Sequence, residues 1–199
     1  MALKKISEGA EADIYELELL GIKAVMKYRR PKPYLVKEIE EYLRDTRTRT
    51  EARILSKVSS LISAPKPLLV TRYAIIMQKL EGIQASKNPS LGKPGAEASG
   101  KALAALHSSG IIHGDFTTAN ILVGRSGISV IDFGLSYYSS SAEDMAFDIL
   151  LFKRSVSKED FRAFEEAYGN GFAKSCEVLK KLSEIETRGR YQNRSLETA

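Results

Sequence analysis

The sequence predicts an α+β fold, with a small β-rich N-terminal half and a short, mostly helical C-terminal half. Short apolar runs separated by glycine and proline fill most of residues 1–79, with one long charged segment between them. The later part of the chain carries apolar residues at helical spacing. We therefore expect a single domain with an N-terminal lobe over residues 1–79, a C-terminal lobe over 80–187 and a basic tail over 188–199.

Length and composition are those of a globular protein. The chain has 199 residues, of which 43% are hydrophobic and 28% charged. No apolar run approaches the roughly 20 residues that span a bilayer, and the N-terminus has no apolar signal core. We expect a cytoplasmic protein without membrane contact. Its one cysteine, Cys176, has no partner for an internal disulfide and is expected to fill a helix face.

The first strands carry the first candidate site residues. Residues 6–15 predict strand, turn and strand, with Gly9 and Ala10 in the turn. Taken alone, this is an ordinary turn; a cover over nucleotide phosphates is the alternative, and the residues that follow favour it. Residues 14–20 and 22–28 predict a hairpin about a glycine.

The second strand of that hairpin ends in a lysine that is typical of nucleotide-binding strands. An A-V-x-K run places an ammonium group near the α- and β-phosphates in protein kinases. Lys27 is the candidate, and Lys23 is the alternative because it shares the same face.

Residues 35–61 predict one or two helices, since apolar residues recur there at helical spacing. Glu51 is the candidate to pair with Lys27, while Glu38, Glu40 and Glu41 are the alternatives. Residues 68–70 and 73–77 then predict another antiparallel pair. The segment that leaves this pair would contact adenine through its backbone, and it consists of Met77, Gln78, Lys79 and Leu80.

The middle of the chain places two carboxylates and a carboxamide among apolar runs. Asp115 and Asn120 lie five positions apart, as in the kinase catalytic loop, and Asp132 begins a D-F-G triplet. Phosphoryl transfer needs a carboxylate that orients the attacking oxygen and oxygen ligands for magnesium. We therefore expect Asp115 to be catalytic, and Asn120 and Asp132 to hold Mg²⁺ against ATP. A buried hairpin with satisfied polar residues is the structural alternative.

Flanking residues are expected to support this loop rather than react. His107 and His113 lack acidic or histidine partners at metal-ligand spacing, so each has a structural interpretation. Asp144 and Asp148 share one helix face. One of them is expected to turn inward and support the backbone of the loop, and Asp148 is favoured because apolar residues flank it.

Three further helices are predicted around this loop. One follows a loop over residues 87–94 and carries a buried stripe ending at Leu106. Another begins with a capping sequence at Ser157. The last runs over residues 172–182, and the polar tail beyond Arg188 is not expected to pack by itself.

Positive charge is concentrated in one segment. The net charge is +5, and residues 23–57 hold eleven Lys and Arg against five Asp and Glu. A solvated helix face is one interpretation and a surface for RNA phosphates is the other. The candidate RNA contacts are the tail arginines together with Arg29, Arg30, Lys32, Arg47 and Arg49.

Over nearly its whole length the chain resembles one family, the small atypical serine/threonine kinase/ATPase subunit of the KEOPS (EKC) tRNA-modification complex. This is the PRPK family, which is related to the Rio kinases. The segments that carry the resemblance are residues 7–12, 25–32, 47–53, 112–120, 131–136 and 188–190.

The resemblance implies a minimal bilobal protein-kinase-like fold that binds ATP and Mg²⁺, phosphorylates serine or threonine weakly, and hydrolyses ATP when docked on partners. It also implies support of threonylcarbamoyl modification of adenosine 37 in tRNA. The implied partners are the tRNA threonylcarbamoyltransferase subunit and a Cgi121-type subunit, with tRNA contacted through the complex.

Kinase and ATPase remain alternatives at this point, because one aspartate can orient a hydroxyl group or a water. A docking subunit without catalysis is a third interpretation, and the presence of the metal and base residues argues against it. A small-molecule kinase of the aminoglycoside-kinase type also uses an H-G-D loop, but the short C-terminal half leaves little room for an acceptor pocket.

Overall fold

The short apolar runs of the N-terminal part form a five-stranded antiparallel sheet. The computed structural model describes residues 3–9, 11–88 and 90–197, with the side chains of the last helix described as far as Arg188. The strands are β1 (Lys4–Glu8), β2 (Ala12–Leu19), β3 (Ile22–Arg29), β4 (Pro67–Val70) and β5 (Ala74–Gln78). Their order in the sheet is β1-β2-β3-β5-β4.

The β2–β3 hairpin turns tightly at Leu20 and Gly21, whose φ angles are 51° and 79°. Two consecutive residues with positive φ match the right-handed twist of the flanking strands. The charged segment that follows β3 forms a single helix, α1 (Lys37–Val58). Its buried face combines Ile54, Leu55 and Val58 with Glu51.

The remaining elements include five short strands and four helices within the described residues. They are β6 (Ile83–Gln84), α2 (Gly92–Ser108), β7 (Ile111–Ile112), β8 (Ile121–Gly124), β9 (Gly127–Val130), β10 (Tyr137–Tyr138), α3 (Ala142–Ser155), α4 (Lys158–Gly171) and α5 (Ser175–Glu197). Strands β6, β8 and β9 form one small sheet, and β10 pairs with β7. The mixed α+β class predicted from the sequence is confirmed.

The chain divides into two compact units. The first comprises the residues up to Gly82 together with Ser129–Ser136, and the second comprises Ile83–Ile128 and the residues from Tyr137 onwards. The D-F-G segment, which was assigned by sequence to the C-terminal lobe, therefore groups with the N-terminal sheet. This places Asp132 in the same unit as Lys27.

Aromatic side chains fill the core of the second unit. Phe116, Phe152, Phe164 and Tyr168 are each almost inaccessible to solvent. The rings of Phe152 and Phe164 stack with centroids 4.2 Å apart. These residues come from the loop after β7 and from helices α3 and α4, so the core joins segments that are distant in sequence.

Three sequence-based expectations were wrong. Helix α2 begins at Gly92, inside the predicted loop, because a proline in the first helical turn needs no N–H donor. Helix α5 spans Ser175–Glu197, so it begins and ends later than the residues 172–182 predicted for it. Cys176 is exposed, since Val178 and Leu182 occupy the buried face of that helix.

Among the described helices, none is both long and apolar enough to cross a bilayer.

The contact between α2 and α4 depends on a glycine. A Cβ at Gly100 would lie 3.0 Å from the backbone nitrogen of Tyr168 and would clash with the carbonyl oxygen of Phe164. Replacing Gly100→Ala should therefore lower the free energy of unfolding by about 1–3 kcal/mol, as overpacking does. Urea denaturation would measure it.

Gly169→Ala is the matched control, because a Cβ there meets nothing within 4 Å and the site lies in helix α4. It should raise the stability by about 0.5–1 kcal/mol through helix propensity. Equal effects of the two variants would contradict the close approach of the helices at Gly100.

Candidate active site

Lys27 projects from β3 towards two carboxylates, of which Glu51 is buried and Asp132 is exposed. Its Nζ lies 2.8 Å from Oε1 of Glu51 and 2.7 Å from Oδ1 of Asp132. Burial alone would lower the pKa of Lys27, but the two carboxylates outweigh it and raise the pKa above its ordinary value. The ammonium group is therefore positively charged at neutral pH and can offer its charge to phosphate oxygens.

The lysine and two of the glutamates that the sequence left as alternatives contact other residues. Lys23 is exposed and lies 3.5 Å from Glu81. Glu40 is buried beside Arg44 at 3.0 Å, and Glu41 lies 3.6 Å from Arg72. The predicted Lys27–Glu51 pair is present.

Glu51 also holds a second cation. Nη2 of Arg29 lies 2.5 Å from Oε2 of Glu51, so each carboxylate oxygen of Glu51 has its own positive partner. Lys27 and Arg29 lie two positions apart on β3, so they share one face of the sheet. Glu51 is only 2% exposed. A buried carboxylate between two cations keeps both of them in fixed positions.

Asp132 is the exposed member of this group. Its φ angle is 61°, in the left-handed region that aspartate tolerates better than most residues. The N–H of Gly134 donates to Asp132 Oδ1 at 3.2 Å. The side chain remains 54% exposed. Asp132 is therefore positioned by Lys27 and by its own turn, with much of its carboxylate open to solvent.

In the second unit, Asp115 and Asn120 are hydrogen-bonded to each other. The Nδ2 of Asn120 donates to the backbone oxygen of Asp115 at 2.9 Å and to its Oδ2 at 2.8 Å. Because the amide hydrogens point to Asp115, the Asn120 Oδ1 oxygen is the atom that can face a cation. The five-residue spacing predicted from the sequence thus brings these two side chains together.

Asp148 supports the backbone of this loop, as expected. Its two oxygens accept hydrogen bonds from the N–H groups of His113 at 2.7 Å and Gly114 at 2.8 Å. The Nδ1 of His113 in turn accepts a hydrogen bond from the N–H of Asp115 at 3.2 Å. Asp144, the alternative, lies one turn earlier and accepts from the Ser139 hydroxyl group at 2.6 Å.

Two further buried side chains are connected to Asp148, first His107 and then Tyr168. His107 Nε2 is 3.3 Å from Asp148 Oδ2, and His107 Nδ1 is 2.8 Å from the Tyr168 hydroxyl oxygen. Burial, together with the Asp148 charge, raises the pKa of Tyr168. Both histidines therefore have the structural roles expected for them. Across the described part of the chain, no group of three or more His, Cys, Asp or Glu side chains could hold a metal ion.

The other predicted nucleotide contacts are less defined. The Gly9 carbonyl oxygen accepts from Arg30 Nη2 at 2.7 Å, and Ala10 lies outside the described residues. The N–H groups of Gln78 and Lys79 donate to the carbonyl oxygens of Lys66 and Lys23. The side chain of Met77 is buried.

A scan against protein families matches residues 10–164 to the RIO domain. A relative from Enterocytozoon bieneusi, the EKC/KEOPS complex subunit BUD32, is 36% identical over 93% of this chain and 97% of its own length. The chain belongs to the RIO domain family and, within it, to the Bud32 proteins. The resemblance stated from the sequence is thereby confirmed.

A further relative is longer than this chain. A protein of Methanosarcina acetivorans that is named for tRNA threonylcarbamoyladenosine biosynthesis is 38% identical over 94% of this chain. The match covers only 36% of that protein. This Bud32 chain therefore corresponds to about a third of that relative.

Solved structures agree on the fold. The Rio2 kinase of Chaetomium thermophilum, crystallised with ADP, Mg²⁺ and a phosphoaspartate, has a TM-score of 0.68 over 98% of this chain and 72% of its own, at 20% identity. A macrolide 2'-phosphotransferase from Brachybacterium faecium has a TM-score of 0.64 over 98% of this chain and 86% of its own, at 15% identity. At such identities the likeness shows a common kinase-like fold.

The roles of two residues, Arg29 and Tyr168, escaped the sequence analysis. Arg29 was assigned to an RNA surface, but its side chain is only 5% exposed and bonds Glu51 and Glu11. Its position two residues after Lys27 was the available signal, since alternate strand residues share a face. The hydroxyl group of Tyr168 contacts His107, which lies 61 positions away, and nothing local indicated that bond.

Asp148→Ala should destabilise the Bud32 fold by about 3 kcal/mol or more, because two buried backbone donors lose their acceptor. Hydrogen exchange at the amides of His113 and Gly114 should accelerate in parallel. Urea denaturation and exchange measured by NMR would test this.

Asp144→Ala on the same helix is the matched control. It removes the hydrogen bonds with Ser139 and Tyr137 at a half-buried position, which should cost about 1–2 kcal/mol and leave the two loop amides protected. If both variants lost the same stability and amide protection, the supporting role of Asp148 would be excluded.

Proposed function

We propose that this chain is an ATP-dependent phosphoryl-transfer enzyme, an atypical serine/threonine kinase or partner-stimulated ATPase. The observation that carries the proposal is the Lys27–Glu51–Asp132 group, in which a buried ammonium is held between a buried carboxylate and an exposed D-F-G carboxylate. Nucleotide phosphates need a fixed cation and a metal-binding oxygen side by side. This group supplies both.

Each residue of the candidate site has its own role in this proposal. Lys27 binds the α- and β-phosphates and Glu51 keeps its ammonium in place. Asp132 and the Asn120 amide oxygen are the ligands for Mg²⁺, which supplies charge neutralisation of the phosphates when bound. Both are oxygen ligands of the kind magnesium prefers, and Asn120 directs both amide hydrogens away toward Asp115. Asp115 orients the attacking hydroxyl group or water.

Electrostatic positioning supports this mechanism. The charged groups are fixed by mutual ion pairs and by hydrogen bonds to the backbone, so little reorganisation is needed when a phosphoryl group becomes more negative. The Asp148 bonds to His113 and Gly114 serve the same end for the loop that carries Asp115. Gly9, Ala10 and the segment 77–80 would hold the rest of the nucleotide.

We further propose that this activity supports threonylcarbamoyladenosine formation at position 37 of tRNA, inside a KEOPS-type complex. The names of the relatives from Enterocytozoon and Methanosarcina support the assignment. The partners would be the tRNA threonylcarbamoyltransferase subunit and a Cgi121-type subunit, and tRNA would be contacted through the complex.

Asp132→Asn should lower ATP turnover by about 100-fold or more, because it removes the charged metal ligand while asparagine retains tolerance of the left-handed backbone. Asp45→Asn is the matched control, since Asp45 belongs to the same unit and pairs with Arg49 at 2.8 Å. Phosphate release from γ-labelled ATP would be measured for both. Undiminished turnover in Asp132→Asn would overturn the metal assignment.

The same labelled ATP separates the classes of activity. Incubation with and without the threonylcarbamoyltransferase subunit and tRNA should give either labelled protein, which indicates a kinase, or free phosphate, which indicates an ATPase. Neither product under any condition would favour a docking subunit without catalysis. Label on an added aminoglycoside would indicate a small-molecule kinase.

Contact with tRNA should depend steeply on salt. If exposed basic residues such as Arg49 bind phosphates, log Kd should change with log salt by about 0.9 for each phosphate contact. Binding of tRNA to the assembled complex would be measured from about 50 to 200 mM salt. Arg49→Gln should reduce the slope by about one contact, whereas a flat dependence would exclude phosphate contacts as the source of affinity.

A further inference from the structure

A basic pocket of about 220 Å³ lies in the first unit, between the strand end of β3 and helix α1. Two carboxylates, Glu11 and Glu40, contribute to its lining. Five cationic side chains line it, and they are Arg29, Arg30, Lys32, Arg44 and Arg47. Carboxylates outside the lining also pair with two of these cations, since Arg29 contacts Glu51 and Arg30 contacts Glu8 and Asp13. Several guanidinium groups at one concave surface still favour an anion.

Glu11 occupies this pocket as an internal anion. Its Oε1 lies 2.6 Å from Arg47 Nη1 and 3.7 Å from Lys32 Nζ, and its Oε2 lies 3.2 Å from Arg29 Nη1. One carboxylate thus serves three cations. The Glu11 side chain is 37% exposed, so it can leave for solvent while the cations remain.

Two of the arginines are fixed independently of Glu11. Arg29 is bonded to Glu51 at 2.5 Å through Nη2, whereas Nη1 contacts Glu11. The Arg44 guanidinium stacks over the Tyr73 ring at 3.7 Å and donates to the Arg29 carbonyl oxygen at 3.3 Å. Rigid guanidinium groups lose little entropy when an oxyanion arrives.

Arg44 is already paired inside the pocket. Its Nε is buried and lies 3.0 Å from Glu40 Oε1, without the angle of a hydrogen bond. Arg47 and Lys32, by contrast, share the Glu11 carboxylate with Arg29. At that place a tetrahedral anion offers more acceptor oxygens and more charge than the Glu11 carboxylate.

We propose that this pocket binds a phosphate group, which replaces the Glu11 carboxylate at Arg47, Lys32 and Arg29. Glu11 then acts as a built-in competitor that keeps the cations paired when no phosphate is present. The phosphate is either free or carried on an RNA strand. The inference does not depend on ATP turnover, because none of these contacts includes Lys27, Asp115, Asn120 or Asp132.

The proposal is tested by calorimetric titration with inorganic phosphate in the absence of nucleotide. Two variants are expected to change the phosphate affinity in opposite directions. Arg47→Gln should weaken phosphate binding about 10-fold by removing a charge-assisted hydrogen bond. Glu11→Gln should tighten it by a similar factor, about 10-fold, since the competing charge is gone. An ion-pair network with no ligand would instead give no saturable phosphate binding in any variant, and this would overturn the proposal.

Lys57→Gln is the control on the same helix, because Lys57 lies exposed in the last turn of α1, outside the pocket lining. Its phosphate affinity should equal that of the unmodified protein. Urea denaturation of each variant would verify that it is folded. Phosphate binding that is lost in Lys27→Met but unchanged in Glu11→Gln and Arg47→Gln would assign the ion to the nucleotide site and would also overturn the proposal.

A second titration with a short single-stranded RNA distinguishes the sources of the phosphate. RNA that competes with inorganic phosphate, and whose affinity rises in Glu11→Gln and falls in Arg47→Gln, supports a phosphate on a nucleic acid. RNA that does not compete, with inorganic phosphate still responding to both variants, supports a free phosphate. ATP turnover at the nucleotide site is assayed separately. A negative result for phosphate binding in the pocket would therefore not contradict the proposed phosphoryl transfer, and the reverse also holds.

Discussion

The negative charge of Glu51 is the constraint on which the first unit depends. It is buried together with two cations, Lys27 and Arg29, and each of its oxygens bonds one of them. Removing a buried charge from such an arrangement leaves its partners unpaired, which costs far more than a surface ion pair. The helix that carries Glu51 and the strand that carries both cations are therefore fixed with respect to each other.

This arrangement links two surfaces of the same unit. Lys27 reaches Asp132 on one side, while Arg29 reaches Glu11 on the other. The charges alternate along the whole series, from the D-F-G carboxylate to the basic pocket. Alternation permits several ionised groups to be buried close together, because each has neighbours of opposite sign.

In the second unit, a polar loop that carries Asp115 lies in a region with an aromatic core. Two backbone N–H groups beside Asp115 need acceptors, and Asp148 provides both oxygens. His107 then contacts Asp148, and the Tyr168 hydroxyl group contacts the other ring nitrogen of His107. The loop is held through its backbone, so the Asp115 and Asn120 side chains remain free to bond each other and to act on a ligand.

The sequence by itself determined the set of chemical groups, their order and the type of most elements, because spacing along a strand, helix or short loop is a local property. Asp115 and Asn120 are brought together by local geometry alone, and β3 places Lys27 and Arg29 on one face. Which carboxylate accepts which cation was decided only by the tertiary structure. The Lys27–Asp132 pair spans 105 positions, the buried role of Arg29 depends on helix α1, and Asp148 is buried although its neighbour Phe147 is exposed. Burial and charge pairing depend on distant segments meeting in space, and no local pattern encodes those distances.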